Sequence, residues 1–188
     1  MKRIMWLTGI ALLLIATGCS RIHNLANISV NIPYNQQIAV PQIAGDTVGV
    51  PLPAGGASLP FPAFPVVTNV QQYVTTYNTS TNKIVSFDLN SMVIQIQSPP
   101  NQNFDFLDSI QLYISASSQP EMLVAYANSV PKGQTTLSLT AMPGVNLKNY
   151  FIQDTMYYRL NAHINAVPAS GTVLNIASSF HLLANPLE

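Results

Sequence analysis

The chain has 188 residues, of which only 7% are charged, with seven basic and seven acidic side chains. Soluble domains typically contain about 25% charged residues, so the polar surface must consist of Asn, Gln, Ser and Thr. The sequence has no basic patch for the phosphates of nucleic acids, so nucleic-acid binding is not expected. Its single cysteine excludes an internal disulfide.

Residues 1–18 have the layout of a secretory signal peptide. Lys2 and Arg3 precede an almost unbroken apolar run, and this run is too short to span a membrane comfortably as a mature helix. The four residues ATGC that end at Cys19 resemble the lipobox of bacterial lipoproteins. This resemblance implies cleavage before Cys19, lipid on its thiol and an acylated amino terminus, so the predicted partner of this residue is the membrane.

Two neighbours of Cys19 refine that prediction. Ala16 departs from the lipobox, in which this position is usually Leu. Ser20 follows the cysteine instead of Asp, and by resemblance this favours sorting to the outer membrane. Two alternatives stay open: an incidental thiol beside an ordinary cleavage site, and an uncleaved anchor.

Residues 19–32 predict a lipidated tether and a first short strand, and residues 33–65 predict a Pro- and Gly-rich extended segment. The second range holds half of the 14 prolines, and proline is excluded from central strands because it lacks a backbone donor. Its many large apolar residues indicate that it packs on the domain or docks on a partner. For docking, Tyr34, Phe61 and Phe64 are the predicted contacts.

Residues 66–188 predict the main domain, beginning with a helix near 68–79. Val66, Val70, Tyr73, Val74 and Tyr77 have the spacing of one helical face, although a strand is the alternative. Strands follow from Lys83 onward. Val85, Phe87 and Leu89 alternate with polar residues, and Met92, Ile94 and Ile96 then alternate in the opposite phase, which predicts a bulge.

The strongest strand signal lies at the end of the chain. Even-numbered apolar residues from Met156 to Ala166 are answered by those from Leu174 to Leu182, and the turn between them predicts a long hairpin. The fold predicted from these patterns is mostly β: an antiparallel β-sandwich, immunoglobulin-like or similar, with one short helix and a Pro-rich N-terminal extension.

The sequence has no convincing catalytic or metal-binding pattern. His163 and His181 lie too far apart along the predicted hairpin to share a zinc ion. Asp105 and Asp108 are interpreted as loop and strand-start residues, with a calcium loop as the alternative. We therefore predict no metal, no cofactor and no enzymatic activity. Thr47 lies in one of three short tripeptides that resemble the O-glycosylation sequon of Bacteroidota.

The run FDLNSMVIQIQSPPNQNFDFLDSIQLYISA and the closing FHLLANP are similar to outer-membrane lipoproteins of Bacteroidota, which are β-rich and have no established reaction. We expect a non-enzymatic, lipid-anchored module of the outer membrane that binds or supports an envelope protein or glycan. One alternative is a carrier of an apolar ligand between the sheets. An envelope-polymer hydrolase is the least favoured, because Asp, Glu and His are few.

Overall fold

The computed structural model describes residues 27–42, 52 and 54–185, and most of them lie in β-strands. Cys19 and Thr47 lie outside the described residues. The strands are β1 (Ile28–Ala39), β2 (Ala57–Pro60), β3 (Phe64–Val67), β4 (Ile84–Ser98), β5 (Leu107–Ala116), β6 (Gln119–Ala127), β7 (Thr136–Ala141), β8 (Thr155–Ile164) and β9 (Val173–Ala184), and the helices are α1 (Val70–Thr76) and α2 (Lys148–Phe151).

The strands form an antiparallel β-sandwich of two layers. Hydrogen-bonded neighbours follow the order β1-β9-β4-β7-β6-β5-β8-β2, and β3 also pairs with β8. The sheet folds over between β7 and β6, where the two residue pairs Ala125–Ala141 and Tyr126–Thr140 join them. The first layer therefore contains β1, β9, β4 and β7, and the second layer contains β6, β5, β8, β2 and β3. The predicted mostly-β sandwich is confirmed.

The core lies between the inward faces of the two layers. The ring of Phe87 in β4 stacks on Phe180 of β9, with centroids 4.6 Å apart, and on Phe151 of α2, at 4.1 Å. The buried hydroxyl groups of Tyr158 in β8 and Ser178 in β9 lie 3.1 Å apart. These contacts fill the space between the layers with side chains from both.

The predicted hairpin between the last two strands is wrong. β8 pairs with β5, β2 and β3, whereas β9 pairs with β1 and β4. The two strands belong to opposite layers, and the segment 165–172 crosses from one layer to the other. Alternation with a period of two identifies the inward residues, which are the predicted ones, but it does not identify the neighbouring strand.

β4 contains two irregularities. The predicted phase change is confirmed, because the register with β9 shifts between Leu89 and Ser91. A second shift lies between Ile84 and Ser86, and it turns Ile84 into the core while Val85 stays exposed. This corrects the prediction that Val85 faces inward with its alternating neighbours.

The Pro-rich segment contributes strands to the sandwich. Pro33 lies inside β1, opposite Ser179, and β1 pairs with β9 alone among the described strands. An edge strand tolerates proline because its outer N–H groups have no partner strand. The predicted boundary between 32 and 33 falls inside β1, and β2 and β3 pair with β8, so the described part of 33–65 is integral to the domain.

The predicted helix near 68–79 is confirmed as α1, which buries Val70 and Val74. Before it, the Thr68 hydroxyl donates to the Gln153 carbonyl oxygen at 2.6 Å and accepts from the Val70 N–H at 3.4 Å. The start of α1 is thereby fixed to the segment that enters β8. Within the described part of the chain, no helix has the length and apolarity needed to cross a membrane.

Candidate binding face

The outward face of the second layer carries three tyrosines in a line. Tyr126 of β6 lies opposite Gln111 of β5, and Tyr157 of β8 lies opposite Ser115 of β5. Tyr113 lies on β5 midway between these two positions. Each step along the line therefore moves one strand sideways and two residues along. We call Tyr126, Tyr113 and Tyr157 the tyrosine diagonal.

The spacing of the tyrosine diagonal follows from sheet geometry. Diagonal neighbours on one face of an antiparallel sheet are about 7–8 Å apart, so the line from Tyr126 to Tyr157 is about 15 Å long. All three side chains are at least partly exposed. The result is a shallow, elongated surface instead of an enclosed pocket.

An ion pair crosses the centre of the diagonal. The Arg159 guanidinium on β8 lies over the Tyr113 ring, 4.6 Å from its centroid. It also donates two hydrogen bonds of 2.6 Å to the Glu121 carboxylate on β6. This bidentate hydrogen bonding holds the pKa of Glu121 below its usual range and raises that of Arg159, so both groups stay charged while their charges cancel.

Polar groups line the diagonal on both sides. The Tyr113 hydroxyl donates to Gln111 Oε1 at 2.9 Å, which fixes the position of the amide. Asn161 lies beside Gln111 on β8. The face therefore presents apolar ring faces next to amide, guanidinium and carboxylate groups, and its formal charge is zero because Arg159 and Glu121 compensate each other.

Two of the aromatic residues predicted as partner contacts lie in the core instead. Tyr34 is 8% exposed and Phe61 is 4% exposed, so their side chains are not available to a partner in this structure. The Tyr34 hydroxyl donates to the Thr68 carbonyl oxygen at 2.8 Å. Phe64 is half-buried, with its ring 5.7 Å from that of Tyr158. The packed interpretation of the Pro-rich segment therefore replaces the docking interpretation for Tyr34 and Phe61.

A serine and a histidine meet on the outward face of the first layer. Ser29 Oγ lies 2.8 Å from His181 Nε2, and Asp88 lies opposite His181 on β4. However, the Asp88 carboxylate accepts from Ser86 Oγ at 2.6 Å, and no hydrogen bond joins Asp88 to His181 among the described contacts. A serine nucleophile needs a base that a third group orients, and Asp88 does not orient His181 here.

The two aspartates weighed for calcium bind different parts of the fold. Asp105 accepts from the Gly133 N–H at 2.6 Å, whereas Asp108 accepts from the side chain of Asn165. His163 and His181 lie on the outward faces of opposite layers. In the described ranges, no group of three His, Cys, Asp or Glu residues is placed to hold a metal ion.

The tyrosine diagonal was not predicted from the sequence. Tyr113, Tyr126 and Tyr157 occupy the polar phase of three strands, and this was the available signal. Their alignment depends on which strands pair and on a register shift between Leu112 and Tyr113 in the β5–β6 pair. Neither is legible in one sequence.

No family model matches the chain, and no curated protein matches it. Among solved structures, the chain is similar to one of turnip yellow mosaic virus, at 10% identity over 84% of this chain and 93% of that chain, with a TM-score of 0.29. It is also similar to one of Desmodium yellow mottle tymovirus, at 12% identity over 86% and 91%, with a TM-score of 0.26. At TM-scores this low, the likeness carries no argument about fold or function.

Proposed function

We propose that this chain is a non-enzymatic lipoprotein of the outer membrane, anchored by lipid on Cys19, whose sandwich binds a linear glycan of the cell envelope. The anchor rests on the signal-peptide layout and on the lipobox-like residues that end at Cys19. The binding activity rests on the tyrosine diagonal.

The chemistry of the diagonal favours a glycan. A tyrosine ring offers an apolar face that stacks on the C–H groups of a sugar ring, and its hydroxyl remains available for hydrogen bonding. Gln111, Asn161 and the Arg159–Glu121 pair supply donors and acceptors for sugar hydroxyls. Because the surface is shallow and about 15 Å long, it suits an extended polymer better than a small enclosed ligand.

The Arg159–Glu121 pair supports this assignment in a second way. Both side chains are held by two hydrogen bonds and by the contact with Tyr113. A side chain that is already ordered loses less conformational entropy when a ligand binds. The centre of the face is therefore prepared for its ligand before contact.

Binding to glycans of the source cell's envelope tests the proposal. We would compare the full chain with the triple variant Tyr113→Ala/Tyr126→Ala/Tyr157→Ala on surfaces coated with peptidoglycan or with the surface polysaccharide fraction. Wild type should bind at least one of them, and the triple variant should lose about 30-fold or more in affinity. The matched control is Gln37→Ala/Gln95→Ala/Asn175→Ala on the outward face of the first layer, which should bind like wild type.

Two results would contradict the glycan assignment. One is equal binding by wild type and the triple variant. The other is recovery of an envelope protein by crosslinking in intact cells, through the tyrosine diagonal, with no glycan bound to either surface.

A further inference from the structure

The end of the sandwich at which β1 begins is fixed by strand pairing. Ile28 of β1 and Ile84 of β4 both lie opposite Ala184 of β9, so the first residues of two strands and the last of another form one row. We call this the tether end. Nine residue steps separate Ile28 from Cys19, and an extended chain of that length reaches about 32 Å at most.

A cleft with two lysines opens at the tether end. It has a volume of about 400 Å³ and is lined by Asn82, Lys83, Ile84, Val85, Lys148 and Asn185. Lys83 and Lys148 are half-buried. The ion pair found among the described residues is the one between Arg159 and Glu121, so no carboxylate in this part of the chain neutralises either lysine.

Exposed apolar side chains accompany the lysines. Val85 in the cleft is 47% exposed, and Val67, which lies opposite Thr155 at the start of β8, is 57% exposed. α2 connects these positions, because Asn146 just before it donates to the Val85 carbonyl oxygen at 3.2 Å and β8 begins just after it. Tyr77, at the end of α1, is also exposed.

Lysines beside exposed aliphatic and aromatic groups are typical of surfaces that lie at a membrane interface. We infer that the tether-end cleft binds the phosphate of anionic lipid headgroups, so that the sandwich rests on the membrane with its tether end down. This inference rests on the proposed anchor at Cys19 and is independent of the glycan. A lipid on Cys19 holds the cleft within about 32 Å of the headgroups, which makes their local concentration high.

The acidic residues at this end do not cancel the attraction. Asp88 lies on the outward face of the first layer, where its carboxylate accepts from Ser86, and Asp154 follows α2. Neither belongs to the cleft lining. Each lysine near an anionic membrane surface strengthens binding by about fivefold, so the pair sets an orientation for a protein that the lipid already anchors.

Amine labelling of the full, lipid-modified chain on vesicles tests the inference. A membrane-impermeant, amine-reactive reagent would be applied on phosphatidylcholine vesicles with and without about one-third phosphatidylglycerol. Labelling of Lys83 and Lys148 should fall at least about threefold on the anionic vesicles. Lys132 is the internal control, because it lies on the 128–135 loop, far from the tether end, and donates to the Asp105 carbonyl oxygen at 2.8 Å. Its labelling should not change.

Further arms separate the possible outcomes. Protection should disappear in about 0.5 M salt, where charges are screened within a few ångströms. Equal protection by inorganic phosphate on neutral vesicles would show a free-phosphate site and overturn the headgroup assignment. Equal protection of Lys132, or no protection on vesicles that retain the protein, would also overturn it. Failure to float with neutral vesicles, together with no lipid mass on Cys19, would instead refute the proposed anchor.

Backbone hydrogen exchange gives a second readout that does not require the lysines. In wild type, exchange in residues 82–85 and in α2 should slow on anionic vesicles. The variant Lys83→Gln/Lys148→Gln should lose this slowing, whereas Lys132→Gln should keep it. Slowing that persists in the double variant would contradict the inference.

Discussion

The two outward faces of the sandwich differ in composition although both cover the same core. The first layer presents rows such as Gln37, Asn175, Gln95 and Thr136, and its outward positions hold no Phe, Tyr or Trp in the described strands. The second layer presents the tyrosine diagonal with the Arg159–Glu121 pair across it. Solubility is served by either composition, so the aromatic residues on one face alone point to a role in recognition.

The core holds both faces in place, and its loss is the largest effect we expect. Phe180 stacks on Phe87 and lies edge-on to Tyr34, with centroids 5.9 Å apart. Phe180→Ala should lower the free energy of unfolding by about 3–5 kcal/mol in urea denaturation, because it leaves a cavity among these rings. Ser179→Ala, one residue away on the outward face, should change it by less than about 0.5 kcal/mol. Similar losses for the two variants would contradict the assignment of inward and outward faces.

Alkaline pH compares a buried tyrosine from each layer. Burial raises the pKa of Tyr34, in the first layer, and that of Tyr158, in the second. In the unfolded chain these groups titrate near pH 10, so above that pH the unfolded state loses protons that the folded state keeps. Stability should fall as pH rises above about 10, by about 1.4 kcal/mol per pH unit for each group.

The variants Tyr34→Phe and Tyr158→Phe check the alkaline prediction. Each should reduce the slope of unfolding free energy against pH, between about pH 10 and 11, by the equivalent of about one proton. An unchanged slope in both variants would show that other groups cause the loss. An unchanged slope in one variant would place that tyrosine outside the core.

Replacing the central cation sharpens the contrast between the faces at a smaller scale. Arg159→Lys keeps the charge but loses the two parallel hydrogen bonds to Glu121 and the planar contact with Tyr113. We expect glycan affinity to fall by about fivefold, a loss of about 1 kcal/mol. The control Gln95→Ala on the first layer should leave affinity unchanged. Unchanged affinity in Arg159→Lys would show that the ion pair does not prepare the face.

Acid should produce the smallest effect. The pKa of Glu121 is lowered by its hydrogen bonds with Arg159, so its contribution to stability is present above the unfolded value of 4.5 and is lost as pH falls below it. Both side chains are partly exposed, so the contribution should not exceed about 1 kcal/mol. Glu121→Gln should remove this pH dependence, as measured by thermal unfolding between about pH 3 and 6. A variant that keeps the wild-type dependence would contradict the assignment to Glu121.

Much of the fold could be predicted from the sequence because burial imposes a period of two on each strand. The inward sets of β5, β8 and β9, the bulge in β4 and the position of α1 all follow from side-chain patterns. The partners of β8 and β9 could not be predicted, since two strands that face each other across a core alternate in the same way as two strands of a hairpin. Pro33 was compatible with an edge strand, but its sequence neighbourhood suggested a separate segment.

The candidate site was harder to predict for the same reason. Tyr113, Tyr126 and Tyr157 come from three strands, and their alignment depends on pairing and register that one sequence does not encode legibly. Tyr34 and Phe61 attracted attention because they lie in a Pro-rich segment, which is common for docking peptides. Burial in the core accounts for both of them instead.

Tyrosine footprinting of the lipid-modified chain with and without the bound polysaccharide tests the central claim most directly. Tyr113, Tyr126 and Tyr157 should be protected when the glycan binds. Tyr77, which is exposed at the end of α1 and outside the diagonal, should be modified equally in both states. Glycan binding that leaves the three tyrosines unprotected, or that protects Tyr77 as strongly, would contradict the account.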